Sequence, residues 1–356
     1  MAVHFHKLPV KKITKETADC VSVTFGVPSD LQDIFSYKEG QNVTIRYGSG
    51  GEEIRRSYSI CAAPHENELK IAVKKVEGGI FSAFANENLQ VNDMLEVLPP
   101  TGKFCAKFTA AAGSYLAIAA GSGITPVIGI IKHTLISQPD SRFTLLYGNQ
   151  TRSSIIFFEE LEGLKNKYID RFTLVHVLSR ELTDAPLNYG RIDQQKLEAL
   201  EHLVDFGSFD NIYLCGPEQM ILSAKSFLEN RNVDKSKIHF ELFTTPGINN
   251  VSRIEKVSTV SSGDSKISIR LDGRTVDFPL SYNGDSILDA ALKKGADLPY
   301  ACKGGVCCSC RAKLVEGEVE MTVNYALEEE EVEQGFILTC QSHPRSEKVV
   351  VDFDVR

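Results

Sequence analysis

The chain has 356 residues, 42% of them apolar and 24% charged, which suits two or three globular domains of roughly 100–150 residues each. Its formal net charge of −8 offers no overall basic surface to nucleic acid or anionic lipid. Residues Met1–Lys12 are interrupted by His4, His6, Lys7, Pro9, Lys11 and Lys12, and the longest apolar stretch lies around Leu116–Ala120. Neither a signal peptide nor a membrane span is expected, so a cytoplasmic location is.

The first region, residues 1–110, carries short runs of period-two alternation: Val21–Phe25, Asn42–Arg46, Leu69–Val73 and Met94–Val97. Such runs separated by turns predict an antiparallel β-barrel or sandwich, with one helix near Phe81–Asn88. From residue 111 to 245 the texture changes. Short apolar strands at Tyr115–Ala120, Phe143–Tyr147, Phe172–Leu178, Ile212–Cys215 and Ile238–Phe243 alternate with helical stretches, the pattern of a doubly wound parallel α/β sheet. Residues 246–263, within the stretch Thr244–Asp264, lack a periodic apolar face and read as a linker. The last region, 264–356, opens on two alternating runs joined by Asp272-Gly273, a strong hairpin signal. A helix follows at Ser286–Lys294 with Gly295 as its C-terminal stop.

Nine cysteines are unevenly spread. Cys20, Cys61, Cys105 and Cys215 stand singly, whereas Cys302, Cys307, Cys308, Cys310 and Cys340 crowd the C-terminal region. An odd total without an export signal argues against a disulfide framework. Cys302, Cys307 and Cys310 form C-x4-C-x2-C, with Cys340 far downstream, which is the plant-type spacing for one [2Fe–2S] cluster. Structural zinc is the rival, but it usually takes two close ligand pairs, where this chain has a trio and a distant single. Gly304 and Gly305 let the backbone curl close to the sulfurs. Cys308 is the surplus thiol and reads as a small packed side chain.

Gly121-Ser122-Gly123-Ile124-Thr125-Pro126 follows a strand and opens a helix, with Thr125 as a plausible N-cap and Pro126 suited to the first helical position. A pyrophosphate there would meet free N–H groups and the positive dipole end. The spacing is not G-x-G-x-x-G, so it makes no ordinary dinucleotide fingerprint. Arg56-Ser57-Tyr58-Ser59 offers a cation for a flavin phosphate, a ring to stack on a flavin and a small hydroxyl; a polar edge strand explains it equally well. Gly78–Ser82 opens the first region's helix and offers a second phosphate seat. Cys215-Gly216-Pro217-Glu218 lies just past a strand's C-terminal end, where open α/β sheets place their ligands. The run Glu328–Glu331 reads as a solvated face, with a docking patch as the alternative.

Taken in this order, Arg56-x-Tyr58-Ser59, Gly79-x-x-Ser82, Gly121-x-Gly123-x-Thr125-Pro126 and Cys215-Gly216-Pro217 resemble the ferredoxin–NADP reductase superfamily, followed by a fused plant-type ferredoxin. The resemblance covers nearly the whole chain. Tyr300–Lys313 and Gly335–Gln341 are similar to a branch that serves an epoxidase. The resemblance implies an FAD-binding barrel, an α/β NAD(P)-binding domain and a β-grasp ferredoxin domain. It further implies that Arg56 and Ser57 lie at the FAD phosphates, that Tyr58 stacks on the flavin, and that Ser59 sits at its reactive edge. Gly79, Ile80, Phe81 and Ser82 would seat the pyrophosphate. Gly121, Gly123, Thr125, Cys215, Gly216, Pro217 and Glu218 would border the nicotinamide nucleotide. Ser59, Cys215 and Glu241 would align donor and acceptor, with Phe243 beside them. Ser179-Arg180 resembles the pair that grips the 2′-phosphate of NADPH, and Arg152 can approach the same site, while Glu181 next door keeps NADH as the alternative. The expected route runs from NADPH through FAD and the [2Fe–2S] cluster to an oxygenase or epoxidase component. The alternatives are an NADH-dependent reductase of another monooxygenase and a redox sensor.

Overall fold

In a computed structural model, residues 4–49, 52–108, 112–243 and 263–355 are described; the expected linker lies almost wholly outside them. The chain divides into two compact units, the larger built from residues 5–54 and 58–243 and the smaller chiefly from the C-terminal residues.

The larger unit opens on an antiparallel sheet. Its strands are β1 (His6–Thr17), β2 (Cys20–Phe25), β3 (Asn42–Ser49), β4 (Glu52–Ser59), β5 (Leu69–Lys74) and β6 (Met94–Val97), in the order β4-β3-β6-β1-β2-β5. A bridge between Ile60 and Ile71 ties the end of β4 to β5, the opposite edge, and so curls the sheet toward a barrel. Strand β1 is obscured in the sequence by its lysines and by Pro9. Its alternating residues Leu8 and Val10 are nevertheless wholly buried, and the register shifts directly after Val10, a bulge of the kind that accommodates proline in a sheet. Helix α1 (Ile80–Glu87) packs Phe81 and Ala85 into this core.

The same unit continues as a parallel sheet. Strands β7 (Ser114–Ala120), β8 (Arg142–Asn149), β9 (Phe172–Leu178), β10 (Asn211–Gly216) and β11 (Ile238–Leu242) alternate with α2 (Ile124–Ser137), α3 (Phe158–Lys167), α4 (Gln194–Leu200) and α5 (Glu218–Asn230). The order β11-β10-β7-β8-β9 reverses direction between β7 and β10, and such a switch point opens a crevice at the strands' C-terminal ends. Helix α2 is buried along most of its length: Ile124, Val127, Ile128, Ile130 and Ile131 have no exposure. A helix buried on most of its circumference needs an element on each side, and α2 packs on the parallel sheet and against the barrel segment that follows β4.

The smaller unit is a mixed sheet, β13-β12-β18-β14-β16, covered by a helix. It comprises β12 (Asp264–Leu271), β13 (Arg274–Ser281), α6 (Ile287–Lys293), β14 (Arg311–Glu316), β15 (Val319–Met321), α7 (Glu329–Glu333), β16 (Phe336–Leu338), β17 (Ser342–Pro344) and β18 (Lys348–Asp352). Strands β12 and β18 run parallel while β12 and β13 form the expected hairpin, turned through positive φ at both Asp272 and Gly273. Ser286 caps α6 by accepting from the Asp289 N–H, and Gly295 lies just past its end with φ of 83°. Among the described residues no helix is long and apolar enough to cross a membrane.

The acidic run is not one uniform face. Glu331 is buried: it accepts from the Glu328 N–H at 3.1 Å and pairs with Arg311, whose guanidinium lies over the Phe336 ring. Glu329 and Glu330 are exposed. Glu331→Ala is therefore expected to cost roughly 1.5–3 kcal/mol, the range for a hydrogen bond to a charged group. Glu329→Ala or Glu330→Ala should stay within about 0.5 kcal/mol. Urea midpoints of the three variants check this.

Candidate active site

The turn Gly121–Gly123 follows β7 directly and runs as one 3-10 turn into α2. Its glycines serve different needs. Gly121 adopts φ of 54°, and a Cβ on Gly123 would stand 2.0 Å from the Cys215 carbonyl oxygen. No other residue type lets this turn lie so close on the end of β10. Tyr147, wholly buried, donates from its hydroxyl to the Gly121 carbonyl at 2.9 Å. The helix begins earlier than expected. Gly123 occupies the N-cap position, while Thr125 and Pro126 are the second and third helical residues. Thr125 is buried and its hydroxyl bonds the Ser122 carbonyl at 3.0 Å. It braces the turn rather than capping the helix, because the preceding 3-10 turn already supplies helical backbone at that point. The Ile124 N–H closes back onto the Gly121 and Ser122 carbonyls, and Pro126 has no N–H, so what the start of α2 offers a ligand is chiefly the positive end of its dipole.

Strand β4 carries Arg56, Ser57, Tyr58 and Ser59 at its C-terminal end. The Arg56 guanidinium donates to the Arg55 carbonyl at 2.8 Å, and the Tyr58 ring lies 5.6 Å from that of Phe81. At the start of α1, Ser82 is buried, donates to the Gly79 carbonyl at 3.1 Å and accepts from the Val76 N–H at 3.2 Å. A Cβ on Gly79 would meet the Ser82 oxygen at 2.4 Å. Ser82 and Phe81 therefore turn inward, and the groups a phosphate would meet here are the N–H dipoles of the helix's first turn. That cradle fits a pyrophosphate.

A hydrogen bond joins the end of β4 to the last strand of the parallel sheet. Ser59, 4% exposed, donates to Glu241 at 3.0 Å across 182 residues of sequence. Glu241 on β11 stands in register with Cys215 on β10. Burial pushes the Glu241 carboxyl up to about 7, against a partial pull downward from the Ser59 hydroxyl. Burial likewise drives the Cys215 thiol well above its ordinary value, with Glu241 adding to the effect, so Cys215 is a neutral packing surface rather than a thiolate. Phe243 follows as an exposed ring. Gly216 ends β10, Pro217 takes the N-cap of α5, and Glu218 opens that helix.

Further along the sheet, two loops are zipped together. The Ser179 and Arg180 N–H groups donate to the carbonyls of Asn149 and Gln150 at 2.9 and 2.8 Å. This brings Arg152 and Arg180, both exposed, onto neighbouring loops. Arg152 lies over the Phe158 ring, and its N–H donates to the Glu181 carboxylate at 2.8 Å. The Asn149 side-chain amide nitrogen is buried beside these loops with no hydrogen-bond partner among the described residues.

In the smaller unit four thiols converge. Cys307 and Cys302 sulfurs are 3.1 Å apart, and the Cys340 thiol lies against both Cys302 and Cys310. The N–H groups of Gly304 and Val306 point at the Cys302 sulfur. The buried Ser309 hydroxyl faces the Cys307 sulfur in the same loop. Cys308 turns away, its thiol bonding the Ala326 carbonyl at 3.2 Å. Among the described residues no group of three or more His, Cys, Asp or Glu closes around a single metal ion; these thiols meet in pairs. Four sulfurs with inward N–H donors fit a two-iron cluster. The sequence reading missed Lys132, whose only signal was one cation in the otherwise apolar run of α2.

Residues 7–105 match the oxidoreductase FAD-binding domain, 117–226 the oxidoreductase NAD-binding domain, and 269–345 the 2Fe-2S iron-sulfur cluster binding domain. The chain is 44% identical to one of the subunits of the 1,2-phenylacetyl-CoA epoxidase of Escherichia coli (strain K12), over 99% of this chain and 98% of that one. It is 32% identical to the ferredoxin reductase component of 3-ketosteroid-9-alpha-monooxygenase of Rhodococcus rhodochrous, over 97% and 96%. Among solved structures, phthalate dioxygenase reductase superposes with a TM-score of 0.60 at 22% identity, covering 98% of each chain.

The Glu241 environment generates a pH prediction. The folded chain keeps a proton on this carboxyl up to about pH 7, whereas the unfolded chain releases it near the usual 4.5. Its contribution to stability is therefore full below about 4.5, declines as pH rises through that window, and is gone above 7. The loss amounts to about 3 kcal/mol at most. Denaturation of wild type and Glu241→Gln from pH 4 to 8 should show their stability difference drifting across this window; a constant difference contradicts the assignment.

Proposed function

The chain belongs to the ferredoxin–NADP reductase superfamily, in the form that carries a C-terminal [2Fe–2S] ferredoxin domain, and from that membership we propose that it carries electrons from NADPH to a phenylacetyl-CoA epoxidase. As a pyridine-nucleotide-dependent flavin/iron–sulfur oxidoreductase, it passes electrons to an oxygenase component. The finer assignment of the partner is carried by the 44% identity that extends through the ferredoxin domain, the part that hands electrons on.

FAD, when bound, supplies the conversion between a two-electron donor and the one-electron chemistry of the cluster. The rest is done by the chain. The N–H groups at the start of α1 and the cation of Arg56 hold the flavin's phosphates, and Tyr58 faces its ring. The turn Gly121–Gly123 and the first turn of α2 take the donor's pyrophosphate. Cys215 and Gly216 line the nicotinamide. Ser59, buried and held at 3.0 Å by Glu241, would mark the point where donor and acceptor meet. Cys302, Cys307, Cys310 and Cys340 hold the irons.

NADPH is favoured by the pairing of Arg152 and Arg180 on adjoining loops, with the Ser179 hydroxyl between strand and loop. The Glu181 carboxylate is occupied by the Arg152 N–H, which turns it from the ribose contact an NADH site uses. A reductase of another oxygenase is the second reading, supported by the 32% identity to the 3-ketosteroid monooxygenase component. Purified chain, NADPH and purified phenylacetyl-CoA epoxidase should together give substrate-dependent NADPH oxidation; uncoupled flavin reduction without epoxidase turnover sinks the partner assignment.

Two substitution series test the residues. Arg180→Ala should lower kcat/KM for NADPH about 10–100-fold, the loss of one charge-assisted hydrogen bond of roughly 1.5–3 kcal/mol, and leave NADH almost unchanged. Equal losses, or a wild-type preference for NADH, contradict the donor assignment. Serine at Cys302, Cys307, Cys310 or Cys340 should remove or cripple the [2Fe–2S] absorption while the flavin spectrum persists, whereas Cys308→Ser should retain both.

A further inference from the structure

Helix α2 touches both halves of the reaction. It starts directly from the turn Gly121–Gly123, and its middle lies on the barrel segment Ile60–Ala63, which directly follows Ser59. Ile60, Cys61, Ala62 and Ala63 have no exposure, and after Ile60 their side chains are small, so the helix rests almost on backbone. Gly129 sits at the contact. A Cβ there would stand 3.1 Å from the Ala62 carbonyl oxygen and 3.4 Å from that of Ile60. One turn on, Lys132, with 5% of its side chain exposed, donates to the Cys61 carbonyl at 3.1 Å. The same ammonium pairs with Glu66 at 2.6 Å and with Glu160 of α3 at 2.8 Å. Glu66 in turn accepts from the Ala63 N–H at 2.6 Å. One buried cation is thus satisfied by three oxygens from the barrel and the α/β layer, two residues downstream of Ser59.

We propose that Gly129 and Lys132 are positioning residues that fix the helix bearing the nucleotide turn at a set offset from the flavin strand, and so set the hydride-transfer distance. The inference rests on the functional reading above, in which a hydride, two electrons with one proton, leaves the nicotinamide as it is oxidised and reduces the flavin. A buried ion pair adds little net stability, because desolvation offsets its attraction; what it supplies here is register. Glu66 fixes the barrel loop, Glu160 fixes α3, and Lys132 holds both to the carbonyl of Cys61. Gly129 permits the approach that brings Lys132 within reach. Displacing α2 by a few tenths of an ångström moves the nucleotide turn relative to Ser59, and transfer rates are steep in such displacements, on the order of 100-fold per ångström.

The test uses the full FAD-loaded chain with two variants. Gly129→Ala introduces a methyl 3.1 and 3.4 Å from two backbone carbonyl oxygens, a fit that requires a shift of a few tenths of an ångström. Lys132→Met paired with Glu160→Gln removes the cation together with one of its half-buried counter-charges. Stopped-flow flavin reduction should show a limiting rate lowered about 5–20-fold. The dissociation constant for the donor should stay within about twofold, and the primary isotope effect with 4-deuterated donor should change. Hydrogen exchange of FAD-free protein should quicken in residues 60–63 and 124–134, a readout independent of turnover. A role in stability alone would lower the melting temperature and leave the limiting rate and isotope effect at wild-type values, which overturns the proposal. Should Gly129→Ala not fold, the paired variant decides on the same criteria. If neither variant takes up FAD, the contact serves folding rather than positioning and the proposal fails. A wild-type chain whose flavin neither NADPH nor NADH reduces would instead overturn the functional reading itself.

Discussion

A side chain on residue 123 would collide with the carbonyl of Cys215, and that intolerance organises the larger unit. It lets the turn after β7 lie on the end of β10 at the one place where the sheet order reverses. Because the turn is pressed there, α2 starts directly from it, with no room for a separate N-cap residue. Because α2 starts there, its course carries it between the parallel sheet and the barrel. The burial of Ile124, Val127, Ile128, Ile130 and Ile131 follows, and each such side chain contributes about 1.5–3 kcal/mol relative to exposure.

The chemistry at this crevice uses burial more than charge. Cys215 and Glu241 are neighbours in register on the two strands beyond the switch point, and both are kept protonated by their surroundings at moderate pH. Ser59 and Cys215 are buried there, and an enclosure of this kind limits the access of bulk water. Where charge is used, it is placed at the ends. Exposed arginines lie on the loops after β8 and β9, and N–H dipoles gather at the starts of α1 and α2. The cluster loop of the smaller unit follows the same economy, with backbone N–H groups turned onto the Cys302 sulfur and Cys308 turned outward onto a carbonyl.

The acidic run and Lys132 illustrate opposite errors that a one-dimensional reading makes with charge. Four consecutive glutamates look alike in sequence, yet one of them closes a capping box and pairs with Arg311 in the interior. A single lysine in an apolar helix looks like a snorkelling surface residue, yet its side chain is buried. In both cases the partner is remote: Arg311 is 20 residues from Glu331, and Cys61 is 71 residues from Lys132.

By itself the sequence determined whatever rests on local spacing. The cysteine interval, the Asp272-Gly273 turn, the Gly295 stop and the alternation of strand with helix each involve residues a few positions apart, where covalent geometry leaves few choices. The family resemblance, carried by short motifs in fixed order, reached the residues of the crevice one by one. Strand β1 escaped, because Pro9 and the lysines mask an alternation whose inward residues are only Leu8 and Val10. Tertiary structure alone decided which of those motifs touch. The Ser59–Glu241 bond joins the barrel to the last parallel strand, Thr125 proved a brace rather than a cap, and Gly129 with Lys132 acquired meaning only once α2 lay on residues 60–63. Such contacts are set by how layers pack and by which buried polar groups must find partners there, and neither condition is written in the neighbouring residues.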